Sequence, residues 1–102
     1  MKLERIAWSG STPPSQRELH RTLESDGFSV FAWTDGPNAH YEPHHHDHDE
    51  SIWCVYGEIT FGAGGGALRL GPGDRLMLPK GTTHTADVGP AGATYLICQR
   101  ED

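Results

Sequence analysis

Pro43-His44-His45-His46-Asp47-His48-Asp49-Glu50 runs without a break into Ser51-Ile52-Trp53-Cys54-Val55-Tyr56-Gly57, and this junction of a histidine-rich stretch with an apolar one decides how the chain is read. Four of the seven histidines fall in the first eight of those positions. Residues two apart on an extended chain project to one side, so alternation predicts His44, His46, His48 and Glu50 on one face and His45, Asp47 and Asp49 on the other. Such a face is a ladder of metal ligands. Imidazole nitrogens with a carboxylate oxygen suit zinc, iron, manganese, nickel or copper and hold calcium or magnesium poorly.

Outward from this junction the texture is that of short strands. Runs of β-branched and aromatic residues, separated by Gly, Pro, Asn and Asp, predict strands over residues 28–34, 51–61, 67–70, 75–78, 84–88 and 93–99. Gly62-Ala63-Gly64-Gly65-Gly66 reads as a hairpin connection, because glycine accepts the positive φ that tight hairpins demand. Gly71-Pro72-Gly73-Asp74 and Lys80-Gly81 after Pro79 read as two more turns. A sandwich or barrel leaves such strands the fewest open edges.

Upstream, Ser11-Thr12-Pro13-Pro14-Ser15 predicts a helix start, with Thr12 as cap and the prolines in the first turn, where their missing N–H groups cost nothing. Leu19 and Leu23 share one face, and Asp26-Gly27 ends the helix. A chain of 102 residues holds one domain and one core. Fourteen acidic against eight basic residues, a net charge of -6, argue against a nucleic-acid partner. No secretory signal and no spanning apolar run is read, which makes the cytoplasm the expected compartment and a membrane an unexpected partner. Cys54 and Cys98 lie in apolar runs outside any CxxC pair and read as reduced.

The spacing of these residues resembles the cupins. His44-x-His46, three residues, Glu50, six residues and Gly57 is similar to the first cupin motif, with Asn38 standing where that motif begins with Gly. Gly73, five residues, Pro79, one residue, Gly81, two residues and His84 is similar to the second, with Val88 in place of its final Asn. Fifteen residues separate Gly57 from Gly73, the short spacer of compact microbial cupins.

The resemblance implies an all-β fold, a cupin-type double-stranded β-helix or jelly-roll barrel with one short N-terminal helix. Residues 28–102 would form the barrel, and residues 1–27 an N-terminal segment with the helix, part of the same domain. It further implies that His44, His46, Glu50 and His84 ligate one divalent transition metal (zinc, iron, manganese, nickel or copper). Three imidazoles and one carboxylate would leave an octahedral metal two open positions.

Beyond the four, His48 and Cys54 share the ligands' parity and read as residues placed behind the ligands or touching a substrate. His40 and His20 read as surface histidines, His45 has the parity opposite to the ligands with its role left open, and Trp33, Trp53, Phe31 and Tyr56 read as core or interface. The function this predicts is a metal centre that binds or acts on a small polar organic molecule, with oxygenase, isomerase or cyclase chemistry open. The alternative is a binding or sensing module without turnover. Ile6 and Trp8 suggest apolar surface for a homodimer.

Overall fold

The computed structural model of the chain describes residues 3–12 and 14–100. The order is β1 (Glu4–Ile6), α1 (Gln16–Ser25), β2 (Phe28–Asp35), β3 (His40–His44), β4 (Glu50–Ala63), β5 (Gly66–Leu70), β6 (Arg75–Leu78) and β7 (His84–Arg100). All pairings are antiparallel, along the path β1-β6-β4-β7-β2, with β3 on β7 and β5 on β4.

β4 and β7 are long because each runs through both halves of the one seven-stranded sheet. The first half of β4 pairs β6 and the end of β7, while its second half pairs β5 and the start of β7. The crossing occurs at glycine. Gly57 has φ 72°, and a Cβ there would lie 1.9 Å from the carbonyl oxygen of Gly92, itself at φ 79°. Only residues without a side chain let the two strands approach this closely while they bend. The expected strands 84–88 and 93–99 are therefore one strand, carried round a corner at Gly89–Gly92 without losing its extended course.

Ile52, Cys54, Ile59, Phe61, Leu70, Leu76 and Leu78 form the core within the folded sheet, all buried. On the outer side of β7, Leu96 and Cys98 are covered by Leu23 of α1. Burying one leucine stabilises by roughly 2 kcal/mol, and Leu19 of the same helix packs against this cluster too, so the helix is held to the barrel by an apolar face.

Local chemistry departs from expectation in three places. Ser15, not Thr12, caps α1, its hydroxyl accepting from the Glu18 amide at 3.3 Å, so the helix begins after the prolines. The strands β1 and β3 were not legible: β1 has three residues, and β3, His40-Tyr41-Glu42-Pro43-His44, contains a proline and no apolar alternation. The extended ladder over residues 44–50 does not form either. β3 ends at His44, a bend at Asp47-His48 follows, and β4 starts at Glu50. The alternation survives in burial alone, with His44, His46, His48 and Glu50 more enclosed than His45, Asp47 and Asp49.

Other turns follow the sequence. Gly64 and Gly65, at φ 58° and 84°, make a two-residue hairpin between Ala63 and Gly66. Asn38 adopts φ 62°, the left-handed conformation for which asparagine is the usual substitute for glycine. Trp8 lies over Gly73, where a Cβ would meet it at 2.3 Å, and its amide donates to Asp74. The chain itself thus uses Trp8, which leaves Ile6 as the exposed apolar residue of this segment.

Candidate metal centre

His44 closes β3 and His84 opens β7, and the two are paired in register. Their rings lie 4.3 Å apart, and the ring of His46, from the bend, lies 5.1 Å from His44 and 5.4 Å from His84. One ligand nitrogen from each of the three falls within 4.8 Å of the others. Three imidazoles this close have little to gain from one another, and their nitrogens are placed to converge on a shared cation.

Two of the rings are fixed by their own backbone. The Nδ1–H of His84 donates to the Thr82 carbonyl at 2.9 Å, and that of His44 to the Glu42 carbonyl at 2.7 Å. A carbonyl only accepts, so both rings carry their proton on Nδ1 and keep the Nε2 lone pair free. Burial holds the pKa of His84 below the usual histidine range, which keeps this ring neutral and able to donate to a metal.

Glu50 meets the cluster through His46, with Oε1 3.7 Å from its Nε2. The other oxygen, Oε2, accepts from Gln99 Nε2 at 3.1 Å and from His48 Nε2 at 2.8 Å. His48 faces a carboxylate on each nitrogen, since its Nδ1 is 3.0 Å from Asp47, and the bonds to Glu50 and then Asp47 raise its pKa. His46, His48 and Glu50 form a second close group that shares His46 with the first. While both nitrogens of His48 donate to carboxylates, neither has a lone pair to offer a metal.

The structure brings together His44, His46 and His84, with Glu50 alongside and His48 behind it. It does not bring Cys54 to the cavity. That thiol is fully buried in the core, its sulfur 3.5 Å from the Tyr56 carbonyl, and burial pushes its pKa up to about 11. Parity placed it on the inner face correctly, but the core fills the space between it and the histidines. His45 is exposed. Phe31, Trp33 and Tyr56 are more than half exposed.

The imidazoles open onto a cavity of about 270 Å³ whose walls include Ile52, Ile59, Phe61, Ala86 and Ile97. Trp33, Tyr41 and Tyr95, gathered on Asp35, line it as well, with the ring of Tyr41 6.4 Å from that of His44. Sequence reading missed Gln99 and Tyr95. The signal was the alternation of Tyr95, Ile97 and Gln99, the same rule that picked out His44, His46 and Glu50.

The chain matches the Cupin domain family over residues 31–95. It is 31% identical over 74 residues to a quercetin 2,3-dioxygenase of Bacillus subtilis (strain 168), a match covering 67% of this chain and 22% of that protein. The chain thus spans about a fifth of that relative. The crystal structure of DMSP lyase DddQ from Ruegeria pomeroyi DSS-3 superposes with a TM-score of 0.67 at 27% identity, over 76% of this chain and 40% of that one. A cupin superfamily protein from Desulfitobacterium hafniense DCB-2 shares the fold at 15% identity and a TM-score of 0.65, over 99% of this chain and 79% of that one.

Proposed function

The chain belongs to the cupin family, and from that premise we propose that His44, His46, Glu50 and His84 hold a divalent transition metal that binds or acts on a small molecule in the adjoining cavity. The observation that carries this is the pair of rings, His44 and His84, whose Nδ1 protons are tied to backbone carbonyls so that both Nε2 atoms are free. Orienting bonds of this kind stand behind most metal-bound histidines. The donor set also fits: three nitrogens and a carboxylate oxygen suit zinc, iron, manganese, nickel or copper.

A metal held there would supply Lewis-acid or redox chemistry. The chain's own part is to orient the ligands, to fix the proton of each ring, and to wall off water with Ile52, Ile59, Phe61 and Ile97. These walls suit a molecule with an apolar body and a polar end at the metal, rather than one polar throughout. The relatives' names, a dioxygenase and a lyase, support enzymatic chemistry on small organic molecules.

A binding or sensing role is the second reading. In its favour, the cavity's polar groups away from the proposed ligands are two phenols and the Trp33 indole, all engaged with Asp35, so no unengaged acid or base faces a substrate there.

Metal quantification on single alanine variants tests the centre. His84→Ala is expected to lose most of its bound metal although it lies 34 positions beyond Glu50, and His45→Ala to keep it. Loss spread evenly over His44, His45, His46 and His48, with His84→Ala fully occupied, would mean a histidine-rich loop and no centre.

A further inference from the structure

The cluster on Asp35 is built more completely than a cavity wall requires. The Asp35 carboxylate accepts from Tyr41 at 2.6 Å and from Trp33 Nε1 at 3.0 Å on one oxygen, and from Tyr95 at 2.6 Å on the other. A phenol has one hydrogen, and a carboxylate has none to give. Both tyrosines therefore spend their only proton on Asp35, and what their oxygens can still offer is lone pairs. Tyr41 Oη also takes a second, longer contact from Trp33 Nε1 at 3.3 Å, and the two phenols interact with each other as well. The bonds to Asp35 and burial raise both phenol pKa values, so the hydroxyls keep these protons through the neutral range.

Tyr41, Tyr95 and Trp33 line the cavity while Asp35 stands behind them. Along β7, Tyr95 lies four residues from Gln99, the residue that holds Glu50, which is roughly 13 Å of extended chain. The cavity's volume of about 270 Å³ exceeds the roughly 150 Å³ that encloses a benzene and falls below the range of about 300–1,000 Å³ usual for drug-sized ligands. The rest of its lining is apolar. The imidazole part wants an anionic or lone-pair donor for a cation, and the phenol part wants a hydrogen-bond donor.

We propose that Tyr41 and Tyr95, locked by Asp35, form an acceptor-only part of the cavity wall, which selects single-ring molecules carrying both a metal-binding oxygen group and a hydrogen-bond donor. The proposal rests on the metal reading above for the first of those two groups. The donor end is independent of it. A ligand that offers only lone pairs to the phenols leaves buried oxygens facing oxygens, and such mismatches are rejected more strongly than a missing methyl group.

The test compares 4-hydroxybenzoate with 4-methylbenzoate, titrated calorimetrically into the zinc-loaded protein. The two differ only in O–H against CH₃, of similar size, and burial alone favours the methyl compound. The hydroxy compound is expected to bind about tenfold tighter, the difference one satisfied hydrogen bond makes. In Tyr95→Phe that preference should vanish or reverse. In Asp35→Asn, whose amide donates as well as accepts, one phenol must turn its hydrogen elsewhere and the preference should shrink. Equal or reversed affinity in the unaltered protein overturns the proposal, as does an unchanged preference in both variants or no binding of either compound up to about 10 mM. Metal dependence is scored separately: equal affinity for zinc-loaded and metal-free protein speaks against the metal reading, while the hydroxy-to-methyl ratio still judges the donor end.

Discussion

The two ends of the cavity are held in opposite ways. At the imidazole end the bonds that orient two of the rings are local, from His44 to the carbonyl of Glu42 and from His84 to that of Thr82, both two residues back. At the phenol end the bonds run between side chains, and one of them joins Asp35 to Tyr95 across 60 residues. The ties on the rings leave nitrogen lone pairs unspent, whereas those on Asp35 consume the phenol protons. A site prepared by local bonds can await a cation without holding the fold together. A site closed by distant bonds contributes to the fold before any ligand arrives.

This contrast presupposes that both ends open onto one cavity, which the corner at Gly57 and Gly92 provides. Gly57→Ala attacks it directly, forcing a side chain against a backbone oxygen at positive φ, and should cost roughly 3 kcal/mol in denaturant unfolding. Full stability in that variant would show that the corner can open without harm.

At the phenol end, Tyr95→Phe removes a donor from Asp35 and should destabilise by about 1.5–2 kcal/mol, equally with and without zinc, because the bond it removes is made to none of the proposed ligands. A loss seen only in the zinc-loaded protein would break the contrast.

At the imidazole end, Gln99→Leu frees one side of Glu50 Oε2 and should weaken zinc binding about tenfold, with the metal-free melting temperature little moved. Competition titration with a chelator reads the first quantity and calorimetry the second.

The smallest effect concerns His40 and Asp87, paired on the surface of the same β3–β7 ladder, with Nδ1 and Oδ1 2.5 Å apart. Asp87 raises the pKa of His40, so the stability it adds is complete below the unfolded value near 6.5 and fades as pH climbs through the higher folded value. His40→Asn should narrow the difference in unfolding midpoint between pH 5.5 and pH 8.5.

The same distinction explains what the sequence made legible. Motif residues act through spacing, so His44, His46 and His84 could be named, and Asn38 could be placed at a glycine position before its φ was known. The hairpin at Gly64-Gly65 follows from two adjacent residues alone. Asp35 could not be found this way, because its partners come from three strands and neither Trp33 nor Tyr41 belongs to a pattern. β3 was hidden by its proline and polar composition. The ladder over residues 44–50 went wrong in its backbone and right in its parity, because convergence on one cavity requires only that alternate side chains turn inward.

β7 also sets an order in time. Among the described residues β2 and β3 find strand partners only in β7, and β4 shares most of its length with it. During synthesis β7 leaves the ribosome after every strand it must pair. Until then β2 and β3 carry unpaired edges, and His44 and His46 wait for His84, the residue that opens that strand. Assembly of the barrel and of the imidazole triad therefore becomes one late event, and a nascent chain that stalls before residue 84 has neither.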